Sequence, residues 1–177
     1  ASSDDDLRGI LALQAVNLPE TLSAEEYASQ GFVTLRHDLA LLREMNSPWA
    51  HAVATPAGSD EIVAYALVML ERFRARQPIL EPMFQRVESL RHRGRPVSAL
   101  RWYVMGQVCV AKAHRGRGLV EGLYADHRRR MAEDFDVVIT EINRANPRSV
   151  RAHLRAGFEV LLEFTGEDGV EWVVVGM

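Results

Sequence analysis

Apolar positions change their period along the chain. Leu7, Ile10, Leu11, Leu13, Ala15 and Val16 recur at three- and four-residue intervals, as on one face of an α-helix, and the run ends near Asn17-Leu18-Pro19. Ser23-Ala-Glu-Glu26 forms a capping box, in which a hydroxyl and a carboxylate each accept from a free amide at a helix start. A further helix is expected over His37 to Met45. From Ala50 the spacing becomes that of strands. His51 to Thr55 and Glu61 to Leu70 flank Pro56-Ala-Gly-Ser-Asp60, a turn-favouring run, and together predict a hairpin.

A polar, Arg-rich insert follows, Glu71 to Leu100, with its own helix from Pro78 to about Arg93. Its cations, Arg72, Arg74, Arg76 and the run Arg91-His-Arg-Gly-Arg95, either form a solvated surface or fold over a site for an acidic substrate. Arg101 to Ala111 reads as a long strand with Gly106 inside it. A glycine there weakens packing and marks a bulge or a close backbone approach. Gly118 to Glu133 reads as a helix, Phe135 to Ile142 as a strand and Pro147 to Ala156 as a helix. Two closing strands, Phe158 to Thr165 and Val170 to Val175, are joined by Gly166-Glu-Asp-Gly169. The helix between strands 101–111 and 135–142 suits a right-handed crossover, which makes them parallel neighbours. The order predicts a mixed α+β fold in a single domain, residues 1–177.

Composition narrows the class. The 177 residues are 47% hydrophobic, enough for a core without staples, and the longest apolar run, Ile62 to Leu70, is nine residues. A membrane-spanning helix needs about 20. Cys109 is the only cysteine, so no intramolecular disulfide or multi-cysteine zinc site is expected. The acidic stretch Ala1 to Asp6 is unlike a secretory leader, and the expected location is cytoplasmic. A formal net charge of −3 argues against a dedicated nucleic-acid binder. Charge is uneven, however. Between Ala111 and Arg130 stand Lys112, Arg115, Arg117, Arg128, Arg129 and Arg130 against Glu121 and Asp126 alone, which is either a solvated face or an anion site.

Candidate chemistry concentrates in Val108-Cys-Val-Ala-Lys-Ala-His-Arg-Gly-Arg-Gly-Leu119, a strand running through a Gly-rich loop into a helix. The first amides of such a helix lack intrahelical partners and carry partial positive charge, and glycines admit a ligand to the backbone. Arg115 and Arg117 add bidentate donors suited to phosphate. A Walker loop lacks its lysine and hydroxyl here, and Gly116, Gly118 and Gly122 stand at the wrong interval for a dinucleotide fingerprint. Cys109 could be a nucleophile, but mid-strand among valines it reads better as a small buried hydrophobe.

The segment Arg115-Gly-Arg-Gly118-Leu-Val120 resembles the pyrophosphate loop, Arg/Gln-x-x-Gly-x-Gly/Ala, of the GCN5-related N-acetyltransferase (GNAT) superfamily, departing from it at Val120. Downstream, Asn146-Pro-Arg-Ser149-Val-Arg-Ala-His153-Leu-Arg-Ala-Gly157-Phe158 is similar to that family's Asn-led helix ending in Gly-Phe. The resemblance implies a three-layer fold with a mixed, mostly antiparallel sheet, a central splayed pair of parallel strands and flanking helices. It also implies acetyl-CoA as acyl donor and no metal. Gly106-Gln107 would be the bulge, Val108, Cys109 and Val110 the strand backbone that pairs with pantetheine, and Arg115, Gly116, Arg117, Gly118, Leu119 and Val120 the pyrophosphate cradle. Asn146 and Ser149 would touch the arm, although Asn146 equally suits a helix N-cap.

Acyl transfer to an amine needs a proton acceptor, oxyanion stabilisation and a proton for the departing thiolate. The resemblance implies a donor seven residues after the leading asparagine, which is His153; it is that donor or a packed imidazole. Glu141 is the candidate base, or else an ion-pair partner of Arg144 or Arg148. A strand amide near Val108 would meet the oxyanion. Tyr103 and Gln107, placed by alternation on the face opposite Val104, line an acceptor pocket or pack. The expected activity is acetyl transfer to a primary amine of a small molecule or peptide in a ternary complex, with no nucleic-acid or membrane partner and room for a homodimer. The alternatives are a catalytically idle acyl-CoA sensor and a basic-patch module for RNA or another polyanion.

Overall fold

In a computed structural model the chain is described from residue 1 to 177, apart from the side chains of residues 28–30. The first helix, α1 (Asp4–Ala15), starts at a capping box built by Ser3 and Asp6 and buries Leu7, Ile10, Leu13 and Gln14. The expected box at Ser23 and Glu26 opens α2 (Ala24–Gln30). Helix α3 (Leu39–Met45) begins two residues later than its periodicity suggests, because the Asp38 carboxylate accepts from the Leu41 amide at 2.8 Å and so fixes the N-cap there.

Strands β1 (Ala52–Ala54) and β2 (Ala64–Met69) form the expected hairpin. Every residue of β2 is buried, which explains why its sequence is an unbroken apolar run rather than an alternating one. In the Arg-rich insert, α4 spans only Glu81–Ser89, and the chain beyond it turns into a tiny hairpin, β3 (Arg91–His92) with β4 (Arg95–Pro96). Arg74 pairs with Glu81 and Glu88 inside the insert, whereas Arg76, Arg86 and Arg93 pair with Glu44, Glu141 and Glu159 outside it, so its cations tie it to the rest of the domain.

The second half follows its pattern closely: β5 (Trp102–Val110), α5 (Leu119–Met131), β6 (Val137–Asn143), α6 (Pro147–Arg155), β7 (Glu159–Thr165) and β8 (Glu171–Gly176). Six strands make one sheet in the order β1-β2-β5-β6-β8-β7, antiparallel except for β5 with β6. Helices cover both faces of β5: Gln107 bonds Gln14 of α1, while Tyr103 meets His127 of α5.

One irregularity shapes the molecule. On β5, Gln107 stands opposite Leu67 and Met105 opposite Val68, which leaves Gly106 without a partner on β2. This is the bulge expected from the sequence. A Cβ at Gly106 would lie 3.1 Å from the Met69 Cβ, a tight contact that a residue without one avoids. Just before the bulge β5 leaves its parallel neighbour: pairing with β6 covers only Trp102–Val104 against 137–139. The two strands then splay.

Candidate active site

The splay opens a narrow gap of about 70 Å³, lined on β5 by Gly106, Gln107 and Val108 and on β6 by Thr140, Glu141, Ile142 and Asn143. It continues into a cleft of about 460 Å³ that reaches the start of α5, and Phe32, Val33, Val108, Asn146, Ser149 and His153 line both. Residues 31–37 run across this region as an irregular strap. Its carbonyls at Phe32 and Leu35 accept from the side-chain amides of Asn146 (3.1 Å) and Gln107 (2.8 Å), and its Val33 N–H donates to the Asn17 carbonyl at 3.0 Å.

The cleft's far wall is the Gly-rich loop. Gly116 and Gly118 have φ of 76° and 75°, in the left-handed region that glycine enters without strain, and among the described residues nothing lies within 4 Å of where a Cβ would stand on either. Gly118 is the N-cap of α5, and no side chain among the described residues caps that end. The open space and the uncapped helix start fit a diphosphate. Leu119 and Val120 line the same wall, so the departure at Val120 leaves a cleft in place.

The cations there divide. The Arg115 Nε–H donates to the Val110 carbonyl (2.9 Å) and its Nη2 to Asn17 Oδ1 (2.7 Å); burial lowers its pKa, and its head ties the end of β5 to the turn after α1 while still facing the cleft. Arg117, expected in the cradle, is exposed, donates to the Ala113 carbonyl and does not line the cleft. Half of the wider basic patch is ion-paired: Lys112 with Glu26, and Arg129 and Arg130 with Asp126.

Asn146 caps α6, its Oδ1 accepting from the Ser149 amide at 3.1 Å while its amide holds the strap, so the capping role is the one its side chain performs. His153 is buried at 2% exposure. Its Nδ1 lies 2.8 Å from the Ser149 carbonyl, which can only accept, so Nδ1 carries the proton; Nε2 then accepts from the Tyr124 hydroxyl at 2.7 Å. Burial pushes its pKa down to about 4. The imidazolium that would donate a proton at neutral pH is therefore disfavoured, and the ring is a packed, doubly bonded neutral imidazole.

Glu141 lines the gap. Its partner is neither Arg144, which pairs with Glu163 at 2.7 Å, nor Arg148, but Arg86 of α4 at 2.5 Å, whose guanidinium also lies 3.7 Å from the Phe164 ring centroid. Burial raises the Glu141 pKa, and Arg86 opposes that rise without cancelling it. Arg86 escaped the sequence reading because no local spacing links residue 86 to residue 141.

Tyr103 requires a correction. It packs against Phe135 and His127 under α5, outside both the cleft and the gap. The bulge is the reason: one extra residue at 106 reverses the alternation, so Tyr103 and Gln107 point to opposite faces. Gln107 does line the gap, but its polar atoms are engaged, Oε1 with Tyr65 and Gln14 and Nε2 with Leu35. The Cys109 thiol is buried and its pKa is pushed up to about 12, as suits a packed side chain and not a nucleophile. Among the described residues no cluster of acidic, histidine and cysteine side chains could hold a metal, and no helix is long and apolar enough to cross a membrane.

A sheet with one splayed parallel pair, a bulge beside the gap and a glycine loop opening the following helix is the N-acetyltransferase fold of the GCN5-related type. The chain is similar over 99% of its length to the ribosomal-protein-alanine N-acetyltransferase from Brucella melitensis, with 21% identity, 96% of that chain covered and a TM-score of 0.62. It is likewise similar over 99% to Ard1 from Thermoplasma volcanium (14% identity, 92% of that chain, TM-score 0.63). A chain of the NatC complex bound to Gag peptide and CoA matches at 12% identity over 99% of this chain and 91% of that one, TM-score 0.62. No family model and no curated protein sequence matches the chain.

Proposed function

We propose that this chain is an N-acetyltransferase that moves an acetyl group from acetyl-CoA to a primary amine of a small molecule or peptide by direct attack in a ternary complex, in the cytoplasm. The observation that carries the reading is the continuity of the glycine-walled cleft at the α5 start with the gap between β5 and β6. Such a channel fits a ligand that is anionic at one end and linear and amide-bearing at the other. Amides at the start of α5 face the diphosphate, and the β5 backbone from Val108 to Val110, free of β6, pairs with the arm. The solved NatC and NatB complexes have CoA bound, which supports the same donor here.

The thioester supplies an activated acyl carbon, and the rest is asked of the chain's own residues. Glu141, a buried carboxylate made more basic by its surroundings, accepts the proton the attacking amine must lose. An amide near Val108 meets the charge that develops on the acyl oxygen. His153 is assigned a positioning role: neutral and fixed by Ser149 and Tyr124, it holds the wall shared by cleft and gap. The departing thiolate would receive, through solvent, the proton that Glu141 has accepted, which returns the carboxylate for the next turnover.

A panel of amines assayed for free CoA thiol tests the reading, which expects turnover with at least one acceptor. The ion-paired Glu141 and neutral His153 also favour a second reading, an acyl-CoA sensor. Tight acetyl-CoA binding with no thiol release across small amines and peptide N-termini would establish that reading instead.

A further inference from the structure

The cleft carries more positive charge than a diphosphate needs. Helix α6 turns Arg148, Arg151 and Arg155 toward it, at the i, i+3, i+7 spacing of one helical face. Arg155 is engaged by Glu121 at 3.0 Å across the mouth. Arg148 and Arg151 have no hydrogen bond and no ion pair among the described residues, whereas the arginines of the insert and of α5 mostly do. Arg148 lies near enough to Arg115 to depress its pKa, so like charges are held together at this wall. Two guanidinium groups without partners, on a cleft that Arg115 also lines, make a local positive field that favours a polyanion there.

We propose that Arg148 and Arg151 form a subsite for a terminal phosphate monoester, the 3′-phosphate on the ribose of coenzyme A, separate from the diphosphate contacts at the α5 start. This rests on the acyl-CoA reading and names the part of the donor these two residues select. A phosphate monoester is the strongest acceptor on such a ligand, carrying close to two charges and three oxygens, and guanidinium groups match its geometry. The subsite makes the enzyme discriminate the complete donor from forms that lack that phosphate. Selection is exerted at the cleft mouth, far along the ligand from the acyl carbon.

Calorimetric titration of the full chain with CoA and with 3′-dephospho-CoA tests this. The wild type is expected to bind CoA at least tenfold more tightly than dephospho-CoA, and raising salt should narrow the ratio. Arg148→Gln and Arg151→Gln should each weaken CoA by roughly three- to tenfold, leaving dephospho-CoA nearly unchanged, and the double variant should bind the two equally. Neither side chain holds the fold together, and a thermal melt of each variant checks that. Equal wild-type affinity for the two ligands overturns the subsite and leaves the acyl-CoA reading standing. Equal losses for both ligands in the variants also overturn it, by moving the two arginines to the diphosphate. Absence of binding to either ligand by a folded wild type removes the acyl-CoA reading itself.

Discussion

Lowering pH should unfold this protein through its buried histidines. His37, His51, His127 and His153 are all buried, and burial drives their pKa values down to about 4, 3, 4 and 4. For three of them the bonding also suits a neutral ring: His51 Nδ1 accepts from the Val68 amide at 3.1 Å, His37 Nδ1 lies 2.9 Å from the Gln14 amide nitrogen, and His153 Nε2 accepts from Tyr124. An unfolded histidine titrates near 6.5. The unfolded chain therefore binds more protons below that pH, and stability, full above about 6.5, falls as pH drops toward 4. Between pH 7 and pH 5 each histidine costs about 2 kcal/mol, and the four together up to about 7 kcal/mol. Domains of this kind have a total stability of about 5–15 kcal/mol. Glu141, whose pKa is raised, opposes the trend by at most one proton. Urea unfolding followed by circular dichroism at pH 7, 6, 5.5 and 5 gives the slope of stability against pH. The slope near pH 5 should correspond to about three excess protons on the unfolded chain, and His127→Leu should lower it by about one. A slope of less than one proton would refute the assignment of these rings as neutral.

Other expectations concern the site directly. Gly118→Asp places bulk and negative charge at the α5 start and should weaken acetyl-CoA binding at least tenfold, whereas Gly118→Ala meets no neighbour and should cost about 1 kcal/mol of stability through its φ of 75°; calorimetry and urea melts separate the two, and an Asp variant of normal affinity removes the cradle. Arg86→Ala takes away the cation that holds the Glu141 pKa down, so the acidic limb of the rate profile, where activity is lost as Glu141 is protonated, should move to higher pH. An unmoved limb would exclude Glu141 as the base. His153→Phe leaves the Tyr124 hydroxyl buried without its partner and should cost about 1–3 kcal/mol of stability. Its kcat profile should keep the wild-type shape between pH 6 and 8; loss of a limb there would restore the proton-donor role. Asn146→Ala should cost about 1 kcal/mol or more by unmaking a cap and releasing the Phe32 carbonyl, read as a lowered urea midpoint.

The second half of the chain was legible because its signals are local. A glycine within a strand, a glycine loop before a helix and an Asn-Pro helix start each act over a few residues, and β5, α5, β6 and α6 fall where those signals put them. The insert was less so: the helix expected to Arg93 stops at Ser89, and the pair β3–β4 takes up the rest. At the site, what misled was the rule of alternation carried through a bulge. Alternation puts Tyr103 and Gln107 on one face only in a regular strand, and the extra residue at Gly106 separates them. Partners such as Arg86 for Glu141 and Tyr124 for His153 lie 55 and 29 residues away in sequence, and only the fold brings them together.

The parting of β5 from β6 has an evolutionary corollary. A slot made by two strands separating presents main-chain groups, which every residue type carries, so few positions along it demand a particular side chain. Chains with 11–21% of their residues in common with this one can then keep one frame while the walls around it are rewritten.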